Sequence, residues 1–258
     1  MAPDPCCMAL LSHRLCDTTL ARFDDVRATG ADAVLLLTEP LGRAVRGAGL
    51  DAALVLSPDD LYRPEHGAKS ASRRIVPGNA DLALLALRRA RPGHARYWLI
   101  EYDVFLPGGC APLAALDAAS TADLLLPLRP ESRAANPRWF HWPGLVIPPG
   151  DARPEAAQQH GLICLVRASA ALLDALDAAY RHGWAGHAEA VLPTLAAARG
   201  FTATTLNAVA RRAIGRKVTD GRAFNAFRCT PSAGALIYHP VKTESAARSL
   251  RDALAGSM

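Results

Sequence analysis

The sequence has no run of about 20 apolar residues, so no helix crossing a membrane is expected from it. No basic residue precedes the first apolar stretch in "MAPDPCCMALLSHRL", which removes a secretory signal. A cytoplasmic location is therefore expected, with peripheral contact at a membrane surface left open. No C-x-x-C pair occurs among Cys6, Cys7, Cys16, Cys110, Cys164 and Cys229. Zinc and redox motifs of that spacing are excluded, and free thiols in a reducing compartment are expected. No G-x-G-x-x-G follows the first apolar run and no G-x-S-x-G elbow occurs, which sets aside Rossmann oxidoreductases and Ser-His-Asp hydrolases. No block of consecutive basic residues interleaves with aromatics, so nucleic acid is not an expected partner.

What is present is a globular composition. The chain has 258 residues, 50% hydrophobic and 21% charged, with a formal charge of +5. That modest positive balance suits an anionic small molecule. Abundant alanine and arginine read as GC-rich coding and point to a bacterial source. Short apolar runs alternate with amphipathic ones. "CCMALLSH", "DAVLLLTE", "DAALVLSPDDL" and "YWLIEYD" read as strands. "DTTLARFDDVRATG", with Asp17 as N-cap, and "GNADLALLALRRARPG" read as helices, with "PLGRAVRGAG" a short helix or turn and residues 62–77 a loop. Later, "DLLLPLR", "GLICLVRAS", "FTATTL" and "GALIYHPVK" read as strands. "SAALLDALDAAYRHG", "HAEAVLPTLAAARG" and the tail from Glu244 read as helices. This order predicts one α/β domain over 1–258, a mostly parallel sheet flanked by helices on both faces. Residues 1–110 would form the nucleotide-binding part and 111–258 the acceptor side.

In "YWLIEYDVFLPGG" an apolar strand ends in Glu101 and Asp103. Residues two apart on a strand share a face, and ligands of open parallel sheets lie at the strands' carboxyl ends. Two carboxylates there suit a hard divalent cation, Mg²⁺ or Mn²⁺. Simple solvation at a strand end is the alternative.

This strand-end pair, the alternating elements and the late "YHPVK" resemble GT-A-type nucleotide-sugar glycosyltransferases. The resemblance runs over nearly the whole chain as an order of elements. It implies that Asp103 binds a metal on the donor diphosphate, with Glu101, a departure from the usual Asp, assisting. It implies His239 as a further metal ligand and Lys242 on the phosphates. It places nucleotide contacts at the first strand's end, at Ser12, His13 and Arg14, with the backbone of Leu11 beside them. Glu189 in "WAGHAEAVLPT", at a helix start, would be the general base of an inverting transfer, with His187 the fallback. If Glu189 serves only the helix dipole, retention is open.

Lys69, Arg73 and Arg74 could steer the diphosphate or form a solvated basic loop. In "RWFHW", Trp139 or Trp142 offers an aromatic platform for an acceptor, or the loop plugs the sheet. The expected partners are a nucleotide-sugar donor and a glycan, lipid or protein hydroxyl acceptor. The alternatives are a non-catalytic nucleotide- or glycan-binding protein on the same fold and a nucleotidyltransferase. Against the last, "LLSHRLCDTTL" lacks a glycine-rich basic signature.

Overall fold

The computed structural model describes residues 6–38, 52–71, 78–151 and 155–256. The expected turn in "PLGRAVRGAG", and Arg73 and Arg74, lie outside these residues. The first half runs β1 (Cys6–Ser12), α1 (Asp17–Arg27), β2 (Asp32–Thr38), β3 (Ala53–Leu56), α2 (Ala80–Ala90) and β4 (Arg96–Glu101). Then follow α3 (Ala111–Ala118), β5 (Leu124–Leu126), the small strands β6 (Glu131–Ser132) and β7 (Gln159–His160), and β8 (Leu165–Ser169). The chain ends with α4 (Ala170–Arg181), α5 (Ala188–Ala198), β9 (Ala203–Thr205), α6 (Leu206–Ile214) and α7 (Glu244–Ala255).

Seven strands form one sheet in the order β3-β2-β1-β4-β8-β5-β9, with only β8 antiparallel to its neighbours. The strands are apolar throughout because both faces are covered, and alternate side chains enter different cores. Cys7, Ala9, Leu11, Leu36, Tyr97 and Leu99 pack with α2, α4 and α5. Met8, Leu10, Leu35, Trp98 and Ile100 pack with Phe23 and Val26 of α1, and with α3 and α6. The mostly parallel sheet with helices on both faces is thus the architecture that the alternating pattern predicts. The strand order reverses between β1 and β4, and the crevice for a ligand opens at their carboxyl ends.

Several local expectations are corrected. Cys16, not Asp17, is the N-cap of α1, and Asp17 is its first helical residue. Residues 234–242 form no ladder strand; they make only isolated bridges, Phe105 to Tyr238 and Phe224 to His239. Pro240 has no N–H to donate, which stops regular pairing there. Within 62–77, Pro64–His66 and Ala68–Ala71 are helical turns. The helix α6, capped by Thr205, has no counterpart in the sequence reading. The six cysteines are free thiols. No helix among the described residues is long and apolar enough to cross a membrane.

Lys69 is the largest departure, being 2% exposed rather than a loop cation. Its Nζ lies 2.9 Å from Asp81 Oδ2 and donates to the Gly186 carbonyl at 2.9 Å. Asp81 also accepts from the Tyr180 hydroxyl. A buried charge is tolerated only when paired, and removing one partner strands the other. Lys69→Met is expected to cost about 3–5 kcal/mol in urea unfolding. Adding Asp81→Leu is expected to restore part of that loss; a double variant weaker than the single one would contradict the pairing.

Candidate active site at the carboxyl ends of β1 and β4

The acidic pair is positioned by backbone pairing. Leu11 of β1 sits in register with Glu101 of β4, and the Tyr102 amide donates to the Leu11 carbonyl at 2.9 Å. The chain then turns, with the Val104 amide on the Glu101 carbonyl at 2.9 Å. Phe105 and Tyr238 exchange two backbone bonds of 2.8 and 2.9 Å, and the Val241 amide donates to the Asp103 carbonyl at 2.8 Å. This pairing sets His239 opposite Asp103. Arg22 of α1 locks it, donating to the carbonyls of Tyr102 and, at 2.7 Å, Val241.

One ligand atom each from Glu101, Asp103 and His239 falls within 4.8 Å of the others. His239 Nε2 is 3.4 Å from Asp103 Oδ1. On its other side, His239 Nδ1 lies 2.6 Å from the Asn225 carbonyl. A carbonyl only accepts, so Nδ1 carries a proton, and Nε2 is the ring nitrogen turned toward Asp103 and available to a metal. Asp103 Oδ1 is buried with no hydrogen-bond partner. Burial alone would push the Asp103 carboxyl up, but His239 and then Lys242 hold it below its ordinary value. Burial, then the Asp103 charge, pushes Glu101 up to about 7. A buried carboxylate oxygen, a second carboxylate and an imidazole nitrogen turned toward them fit a divalent cation with oxygen-rich coordination.

These groups line a cleft of about 410 Å³ together with Lys242, Cys164, His187 and Glu189. The opposite wall is the start of α5. His187 caps it, Nδ1 accepting from the Glu189 amide at 3.3 Å. Its ring stacks on His141 at 3.7 Å between centroids. Gly186, at φ +127°, lies so close to the chain that an added Cβ would be 2.7 Å from the Gly144 carbonyl oxygen. The Lys69 bond to the same residue fixes this wall from behind. Burial, then His141 and Lys69, pushes His187 down to about 3. Burial pushes Glu189 up to about 7, opposed by the Ile163 amide. At neutral pH Glu189 exchanges a proton readily, whereas His187 is too weak a base to hold one.

The remaining sequence candidates lie outside this cleft. Ser12 is buried, its hydroxyl donating to the Arg14 carbonyl and accepting the Arg14 amide at 2.7 and 3.0 Å. His13 and Arg14 are exposed beside it and pack on the Tyr102 ring. Trp142 is 2% exposed and its Nε1 donates to the Asn136 carbonyl at 2.8 Å, so it plugs the loop and presents no platform. One face of Trp139 is covered by His160, stacked at 4.3 Å. Phe140 and His141 of the same loop line the cleft instead, with Phe227 across from them. Arg22, Asn225 and Cys164 also belong to the site, and no motif marked them.

No protein-family model matches the chain, and no curated protein does. Among solved structures, the inositol-1-phosphate CTP transferase from T. maritima is similar at a TM-score of 0.40. Its identity is 11%, over 79% of this chain and 85% of that one. A mannosyltransferase from Pyrobaculum calidifontis, in complex with GDP-Man and Mn²⁺, gives a TM-score of 0.43 at 14% identity. That match covers 79% of this chain and 56% of the mannosyltransferase. For a putative glucose-1-phosphate thymidylyltransferase from Bacillus anthracis the TM-score is 0.44 at 10% identity, over 78% of this chain and 86% of that one. Likenesses at this level assign no activity.

The raised Glu189 carboxyl has a consequence for stability. The folded chain holds a proton that the unfolded chain releases near 4.5, so stability falls as pH rises from about 4.5 to about 7 and is level above. That displacement corresponds to about 3 kcal/mol. Glu189→Gln is expected to unfold at higher urea than the parent protein at pH 8, with the advantage gone at pH 4.5. An equal difference at both pH values would contradict the assignment.

Proposed function

We propose that the cleft is the active site of a metal-dependent glycosyltransferase, which moves a sugar from a nucleoside diphosphate donor to a hydroxyl acceptor with inversion. One observation carries the reading. Glu101, Asp103, Glu189, His239 and Lys242, from separate parts of the chain, share a single cleft. Glu101, Asp103 and His239 would hold the divalent cation, which supplies charge neutralisation to the diphosphate. Lys242 is exposed at the cleft and free to pair its ammonium with a phosphate oxygen. Glu189 accepts the proton of the acceptor hydroxyl as that oxygen bonds to the anomeric carbon. The bond from that carbon to the diphosphate breaks on the opposite side. Phe140 and Phe227, 66% and 80% exposed, offer the acceptor apolar ring faces.

Thermal melting with UDP, GDP and CMP, each with and without Mn²⁺, tests the binding half. One nucleotide is expected to raise the melting temperature more with Mn²⁺ than the two separate effects combined. Asp103→Asn is expected to erase that synergy. No shift with any nucleotide would sink the proposal.

The chemistry is tested on the donor so identified. Glu189→Gln is expected to lower kcat by about 10²- to 10⁴-fold. It is also expected to reduce the rise of kcat/KM with pH through about 7, leaving the part that belongs to Glu101, while donor affinity is unchanged. Full activity in Glu189→Gln would exclude it as the base. A nucleotide-binding protein without catalysis would pass the melting test and show no turnover.

A further inference from the structure

A second cluster stands at the opposite end of the sheet, where β1 and β2 begin and the chain enters β4. Cys7 and Asp32 are direct neighbours in the parallel register. Tyr97 pairs with Cys7 from the other side, and His94 lies three residues before it. One ligand atom each from Cys7, Asp32 and His94 falls within 4.8 Å of the others. His94 Nε2 is 2.8 Å from Asp32 Oδ2, so these two donor atoms already face one another and would share the ion once the ring nitrogen is unprotonated. His94 Nδ1 is buried with no hydrogen-bond partner. Asp32 and His94 border a groove of about 410 Å³, while Cys7 is buried in the core on the sheet's other face.

We propose that Cys7, Asp32 and His94 bind a zinc-class divalent ion, independently of the cleft and of the glycosyltransferase reading. Thiolate, imidazole and carboxylate form a borderline-soft donor set that suits Zn²⁺ and Co²⁺. The oxygen-rich set of the cleft suits harder ions. Three protein ligands leave a fourth coordination position open. Binding displaces the Cys7 thiol proton to solvent. Burial and then the Asp32 carboxylate push that thiol up to about 12, and a bound cation offsets the second effect. Arg91 Nε, 3.6 Å from Asp32, competes for the carboxylate and moderates the affinity. The spacing of these residues along the chain matches no linear zinc motif, because three separate segments supply them. The ion would pin the amino-terminal edge of β1 and β2 to the turn before β4.

Cobalt is the probe, because a thiolate ligand gives it a near-ultraviolet charge-transfer band. The full-length protein, freed of metal, is titrated with Co²⁺. The expected result is a charge-transfer band saturating at one equivalent, absent in Cys7→Ser and retained in Asp103→Asn. His94→Gln is expected to weaken Co²⁺ binding by about tenfold or more. It also serves if Cys7→Ser fails to fold, because His94 is at the edge of the core with its side chain 17% exposed. In an Asp103→Asn background, Zn²⁺ is expected to raise the melting temperature, and to raise it less once His94→Gln is added. No charge-transfer band in the parent protein, a band persisting in Cys7→Ser, its loss in Asp103→Asn, or unchanged affinity in His94→Gln would each overturn the proposal.

Discussion

The site depends on the pairing of two irregular backbone segments, one just past β4 and one just before α7. Three main-chain bonds between 103–105 and 238–241, with the Arg22 guanidinium across both, decide where Asp103 and His239 stand. Neither segment is a regular strand, so these few bonds carry the register that a ladder would otherwise supply. Buried main-chain donors left without partners are costly, and that cost holds the pairing in place. The side chains then follow from backbone geometry: Asp103 on one segment, His239 on the other, Glu101 at the end of the strand beside them.

This arrangement gathers acid groups that would repel one another in isolation. Glu101 is pushed toward neutrality by burial and by Asp103, while Asp103 is held ionised by His239 and Lys242. Its Oδ1 stays without a hydrogen bond. A cation would relieve all three conditions at once, which is the physical ground for the cation site proposed there. The facing wall is rigid for a different reason. Lys69, sealed in the core with Asp81, grips Gly186, whose tight contact with Gly144 leaves no room for a side chain. Glu189 therefore opens onto the cleft from a helix start whose approach is fixed by packing.

Much of this was legible in the sequence. Alternating apolar and amphipathic runs specify a covered parallel sheet, and the sheet's topology says where ligands sit. Glu101 and Asp103 were visible as carboxylates misplaced on an apolar strand. His239, Lys242 and Glu189 followed from the family resemblance, and the structure brings all five to one cleft. The failures have physical reasons. Aromatic identity does not reveal which ring faces solvent, so Trp139 and Trp142 were favoured over Phe140 and His141. The segment holding Lys69 has no periodicity, so its burial was hidden. Arg22 and Asn225 act on or through backbone carbonyls, and carbonyl partners leave no trace in composition. The late segment 234–242 is apolar enough for a strand, but Pro240 and the absence of a regular partner keep it outside the sheet.

The central claim is that Glu101, Asp103 and His239 together hold a divalent cation against a diphosphate. Anomalous diffraction from crystals grown with Mn²⁺ and the nucleoside diphosphate that binds tests it most directly. The account predicts a manganese peak among those three side chains, with diphosphate oxygens on its open side toward Lys242. A nucleotide seated elsewhere, or a peak absent from this cluster at full nucleotide occupancy, would contradict it.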